Sequence, residues 1–115
     1  MTDQTTTHDQ ALFEQLEMRA EAVDRAVRRG VMFGSPAVFV GQKMAACVYG
    51  SSIALRVPEE IARLSVDTGR VTRFQPPGRA PMREWVQIPG STQSLDDNSD
   101  LLVAAIFYAR ANNVG

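Results

Sequence analysis

Met32-Phe33-Gly34, then Ala37-Val38-Phe39-Val40, then Gly41-Gln42 open the stretch whose reading decides the fold, residues 32–89. A second apolar run covers 44–49, Gly50-Ser51 interrupts it, and a third covers 53–57. Short apolar runs separated by glycine turns read as strands, and Gly41 and Gly50 tolerate the positive φ that tight hairpins require. In the third run Ile53, Leu55 and Val57 point to one face, with Ala54 and Arg56 on the other. Pro58 suits a first helical position, where its missing N–H would be unpaired anyway. Glu59 and Glu60 favour that helix start, Ile61 and Leu64 give it a short apolar contact, and Asp67-Thr68-Gly69 ends it. A fourth strand is expected over 70–75, with Val71 inward and Arg73 on the same side. Residues 76–81 cannot lie inside a ladder, because three of the six are prolines without a donor, so they form a stiff loop. Met82, Glu84, Val86 and Ile88 then alternate with Arg83, Trp85 and Gln87 as a fifth strand, closed by Pro89. The unit is α+β.

Working outward from this stretch, residues 1–8 read as a polar, Thr-rich disordered tail. A helix is expected from Asp9, because Leu12, Phe13, Leu16, Ala20, Val23 and Val27 recur at three and four residues and draw one apolar stripe. Glu14, Glu17, Glu21 and Asp24 take the other side. Arg25, Arg28 and Arg29 fall at its C-terminal end, where they complement the helix dipole, and Gly30 suits the stop. Met32-Phe33-Gly34 then reads as a helix-to-strand connector, with Phe33 plugging the core and Gly34 giving backbone freedom. On the C-terminal side, 90–98 is a polar linker, and Asn98 or Ser99 caps a last helix with Asp100 in its first turn. Leu101, Leu102, Val103, Ile106, Phe107 and Tyr108 make that helix apolar nearly all round, more than one core face needs. The surplus at Val103, Phe107 and Tyr108 points to an interface, either a weak homodimer or a site for a protein partner. The competing arrangement has the 90–98 linker fold over that side and hide it.

Composition bounds the function. A chain of 115 residues makes one domain over 9–115, and 44% hydrophobic with 22% charged residues is globular composition. A formal charge of −1 supplies no field for nucleic acid or an acidic membrane. The last helix has too few apolar residues to span a bilayer, and the N-terminus has no basic-then-apolar leader, so the expected location is the cytoplasm. The single Cys47 excludes a disulfide framework within one chain and sits in an apolar strand, where a reduced, buried thiol is expected. Nucleophilic catalysis needs a nucleophile beside a base, yet the only histidine, His8, is in the tail. One His and one Cys cannot make a zinc site, Asp96, Asp97 and Asp100 read as a solvated helix start, and no glycine pattern cradles phosphate. Neither catalysis, a metal nor a cofactor is expected.

Arginine is the better lead. Over 50–89, Arg56, Arg63, Arg70, Arg73, Arg79 and Arg83 face Glu59, Glu60, Asp67 and Glu84, a local excess of two positive charges. Arg56, Arg73 and Arg83 lie on strands, and Arg79 on the stiff loop near Trp85. Guanidinium forks beside an indole can hold a carboxylate or phosphate, or stack on a base. Against this, the same arginines can pair with Glu59, Glu84 or the acids of the first helix on a solvated sheet face.

The ordered set of elements resembles the TfoX N-terminal domain family. The resemblance is carried by Met32-Phe33-Gly34 opening the sheet, Gly41-Gln42-Lys43-Met44 at the first turn, and Leu55-Arg56-Val57-Pro58-Glu59-Glu60 leading into a short acidic helix. Phe74, the Gly78-Arg79-Ala80-Pro81-Met82 loop and the Trp85-bearing last strand complete it, over roughly residues 28–110. Ser35-Pro36 departs from the small, glycine-rich pair expected after Met-Phe-Gly. The resemblance implies a two-layer α+β sandwich in the order α-β-β-β-α-β-β-α, with one antiparallel five-stranded sheet packed by helices. Full-length members carry a second, C-terminal domain and regulate competence genes. A non-enzymatic module of the N-terminal type, without that second unit, is the expectation here, acting by protein–protein contact. The alternative is a small-anion or nucleotide-binding module using Arg56, Arg73, Arg79, Arg83 and Trp85.

Overall fold

The computed structural model of the chain describes residues 4–75 and 82–112. Helix α1 (Gln4–Val23) precedes four strands, β1 (Val27–Met32), β2 (Ser35–Val40), β3 (Lys43–Tyr49) and β4 (Ser52–Arg56). Helix α2 (Glu59–Asp67), strands β5 (Thr72–Arg73) and β6 (Trp85–Pro89), and helices α3 (Thr92–Asp97) and α4 (Ser99–Ala111) follow. The strands form one six-stranded sheet in the order β1-β2-β3-β4-β6-β5, antiparallel at every pairing. The fold is α+β, as expected, but with six strands rather than five and an extra helix before the last one. The expected stiff loop over 76–81, with Arg79 in it, lies outside the described residues.

The sixth strand comes from residues assigned by pattern to the end of the first helix. The helix breaks at Asp24: its carbonyl accepts the Val27 N–H at 3.2 Å and its side chain accepts the Ala26 N–H at 2.9 Å. Val27, Arg28, Arg29 and Gly30 therefore run along β2, paired with Val40, Phe39, Val38 and Ala37. Val27 fits the helical stripe only by coincidence of spacing, because a strand residue directed to the same core satisfies the same contact. Met32-Phe33-Gly34 is accordingly a hairpin, not a helix-to-strand connector. Phe33 and Gly34 form a two-residue turn with φ of 55° and 73°, the positive pair that a type I′ turn needs. Phe33 still fills the core, as expected. The helix also begins at Gln4, earlier than the expected Asp9. No Gly or Pro interrupts residues 4–8, and the apolar stripe starts too late to mark the first turn.

The two sheet faces differ in what covers them. On one face, Val38, Val40, Ile53, Leu55, Val57, Val86 and Ile88 pack with Leu12, Leu16 and Ala20 of α1 and Leu101, Leu102, Ala105 and Ile106 of α4. A register shift between Val38 and Phe39 lets the successive residues Ala45 and Ala46 both join this core, which explains why 44–48 is buried throughout. On the other face, Ala37, Cys47 and Ala54 are register neighbours across β2, β3 and β4. Their small side chains leave room for Phe74 and Trp85, joined by Phe33, Phe39, Tyr49, Met32, Met44 and Met82. Both faces are thus apolar, one covered by the helices and the other by the aromatic and methionine cluster.

The expected polar linker over 90–98 contains α3. Ser91 caps it by accepting the Ser94 N–H at 3.1 Å, and Leu95 enters the helix-side core. Asn98, expected as a possible cap of the last helix, makes no capping bond; its amide donates to the Ser94 carbonyl instead. The strand expected over 70–75 is reduced to β5, because the Arg70 and Val71 N–H groups turn back to the Ser65 carbonyl.

Candidate functional site

The β4–β6 pairing sets Arg56 opposite Trp85, which brings Glu84 beside the Arg56 guanidinium. Arg56 Nε and Nη2 reach Glu84 Oε1 at 3.1 and 2.8 Å. Tyr108 of α4 donates its hydroxyl to the other Glu84 oxygen at 2.5 Å, and the Arg56 guanidinium lies 5.3 Å over the Tyr108 ring. The accepting carboxylate, together with partial burial, holds the Tyr108 hydroxyl above the ordinary tyrosine range. These three side chains fasten the last helix to β4 and to the residue that precedes β6, a use of Arg56 and Tyr108 within the chain.

A cleft of about 400 Å³ beside them is lined by Arg56, Glu59, Met82, Arg83, Glu84 and Trp85. Of the expected anion-site residues the structure brings Arg56, Arg83 and Trp85 to this cleft. Arg79 lies outside the described residues. Arg73 turns aside, donating from Nη1 to the Arg83 carbonyl at 2.7 Å. Trp85 is buried with its ring 5.7 Å from Phe74 and 5.9 Å from Phe33, so it fills the second core instead of offering a stacking platform. Among the described residues two guanidinium groups meet two carboxylates, so the described lining carries no excess charge of the kind an anion site requires. Arg83 is the loosest of these groups, with an 83% exposed side chain and Glu59 at 4.0 Å.

Sequence reasoning missed the strongest arginine fork. Arg70 binds both Asp100 oxygens, at 3.0 and 2.8 Å, and Asn98 Oδ1 at 3.1 Å. This clamp joins the end of α2 to the start of α4, keeps the Asp100 carboxyl below its ordinary range and raises the Arg70 guanidinium. Arg29 likewise pairs with Glu17 and lies 5.4 Å over the Phe13 ring, and Arg19 pairs with Asp96. The paired residues stand 28 positions apart for Arg56–Glu84 and 77 for Arg19–Asp96, so no local spacing could announce them.

The last helix absorbs most of its apolar surplus. Leu101, Leu102, Ala105, Ile106 and Ala109 are buried, because α4 lies across β2, β3 and β4 with α1 beside it. Of the expected interface residues, Val103 and Tyr108 are half-buried and Phe107 is 54% exposed. Met18 of α1 and Leu64 of α2 are likewise large apolar side chains left in solvent. Cys47 is fully buried, and burial pushes its thiol up to about 12. Among the described residues no group of three or more His, Cys, Asp and Glu could hold a metal, and no helix is long and apolar enough to cross a membrane. No family model matches the sequence, and no curated protein matches it.

Proposed function

We propose that the chain is a cytoplasmic regulatory or adaptor module of the TfoX N-terminal type, working through contact with another protein rather than through catalysis. The observation that carries this reading is the outer stripe of α4. Phe107 stands 54% exposed one turn beyond the half-buried Val103, two apolar residues on one side of a helix whose core side is already filled. The arginine cleft supports the same reading, since among the described residues each guanidinium lining it faces a carboxylate of its own chain. The setting the resemblance implies is regulation of gene expression, with competence as the expected case. Wild-type chain and Phe107→Glu, immobilised and exposed to cell lysate, test it. A saturable protein partner held by the wild type and lost by the variant is expected; no saturable partner under several conditions counts against it.

One observation favours the second reading, a small-anion or nucleotide module: the Arg83 side chain is 83% exposed with its nearest carboxylate at 4.0 Å. A thermal-shift screen with nucleotides, phosphate and carboxylates decides it, because a ligand at 100 times its dissociation constant adds about 2.7 kcal/mol. A flat screen removes this reading.

A further inference from the structure

Strand β1 is an edge of the sheet, and among the described residues no strand pairs with its outer side. Its hydrogen-bonding pattern follows from the Phe33-Gly34 turn. A two-residue hairpin closes on a hydrogen-bonded pair, here Met32↔Ser35, so the next pair, Val31↔Pro36, is not hydrogen-bonded. Pro36 has no N–H to give, which agrees. Continuing the alternation, Gly30↔Ala37 is bonded, Arg29↔Val38 is not, and Arg28↔Phe39 is. The N–H and C=O groups of Arg29 and Val31 therefore point away from β2, into the open edge.

Natural edges are usually blunted by charged side chains projecting over them. Both arginines of β1 are instead folded back on their own chain. Arg29 is held by Glu17 and lies over Phe13, while Arg28 donates to the Gly41 carbonyl at 2.9 Å with its guanidinium 5.1 Å over the Phe39 ring. Each positive charge is thereby turned away from the edge, and Arg29 is neutralised locally. Val31, between them and the turn, is 69% exposed.

Gly30 selects the occupant. A Cβ placed there would meet Phe39 ring atoms at 2.7 and 2.8 Å, so the ring covers the space that a side chain would fill. A strand laid along this edge leaves that ring in place when it presents little bulk opposite Gly30 on that face. A second copy does so with its own Gly30. Centred on Gly30, an antiparallel pairing sets Arg29 opposite Val31 of the partner subunit and the reverse. These are the residues whose backbone groups are open, so each pair exchanges both N–H···O=C bonds. Half-buried Met32 and Phe39 then flank the two-fold axis on one face, with Val31 and Pro36 on the other.

We infer that two copies of this chain pair through the β1 edges to make one continuous twelve-strand sheet, two six-stranded halves joined at Gly30. This goes beyond the proposed contact role and stands without it, since it uses neither α4 nor the arginine cleft. Sedimentation velocity over a concentration series tests it. Wild-type chain sediments as a dimer at its highest soluble concentration. Val31→Pro removes a donor that points away from β2, so it remains folded by circular dichroism and dissociates at least tenfold more readily. Val31→Lys, which adds an edge charge without touching the backbone, gives the same loss and decides the matter if the proline variant is unfolded. Phe107→Glu sediments as the wild type does. A wild type that stays monomeric, or folded Val31 variants that dimerise as well as the wild type, would overturn the inference.

Discussion

Replacing Gly90 by alanine is expected to destabilise the chain by about 2–4 kcal/mol, although its backbone lies outside the positive-φ region and alanine would otherwise be welcome there. At a strain-free glycine, alanine stabilises by about 0.4–1 kcal/mol, because it narrows the unfolded ensemble. At Gly90 the new Cβ would stand 2.6 Å from the Ser51 carbonyl oxygen and 2.9 Å from Leu12 Cδ2. That carbonyl already accepts the Gly90 N–H at 2.9 Å, so relieving the clash means giving up the bond that ties the end of β6 to the β3–β4 turn. Overpacking costs about 1–3 kcal/mol and the hydrogen bond about 1 more, which together set the figure. Gly30→Ala is the control. Its Cβ meets only the half-buried Phe39 ring, which can swing outward, so about 1 kcal/mol is expected. Combined with Phe39→Ala, Gly30→Ala should cost nothing further, a coupling that a double-mutant cycle reads directly. Urea unfolding at concentrations that keep the chain monomeric gives both values as midpoint shifts at unchanged slope. A Gly90→Ala midpoint above the wild type would refute the close approach and, with it, the docking of Gly90 on the β3–β4 turn.

Two other outcomes follow from the described geometry. Cys47, buried and with its thiol pushed up to about 12, should resist an aromatic disulfide reagent in native buffer and react fully in denaturant; rapid labelling of folded protein contradicts its place on the second core. Asp100 is held below its ordinary value of 3.8 by Arg70, so the clamp contributes stability above that pH and loses it as pH falls through the depressed value. Melting temperatures of wild type and Arg70→Ala should therefore differ near neutrality by less than about 1 kcal/mol equivalent, since the pair is solvent-exposed, and converge in acid. A gap that persists undiminished well below that value would show that Arg70 acts through packing alone.

What the sequence carried well were features with a local cause. The β2–β3 and β3–β4 hairpins follow from Gly41 and Gly50, which do adopt positive φ, and α2 follows from Pro58 and its acidic first turn. The errors arose where one residue satisfies two periods. Val27 lies four after Val23, so a stripe of helical spacing ran on into what is a strand, and only the pairing with β2 separates the two. Helix α3 carries a single large apolar side chain, Leu95, too little periodicity to register against its polar neighbours. The arginine cleft was partly legible, since Arg56, Arg83 and Trp85 do converge. The pairing of Arg56 was not, because the carboxylate that answers it comes from 28 residues away and the hydroxyl that completes the group from α4.

The proposed role divides two surfaces: the α4 stripe at Phe107 carries recognition, and the arginine cleft carries none. The most direct measurement is the binding isotherm of the recovered protein partner on three folded versions of the chain, wild type, Phe107→Glu and Arg83→Glu. Burying a central aromatic anchor contributes enough that its replacement by a charge should weaken binding about tenfold or more, whereas reversal of an exposed rim charge should change it by no more than about twofold at physiological salt. Full affinity in Phe107→Glu together with lost binding in Arg83→Glu would contradict the division and return the function to the arginines.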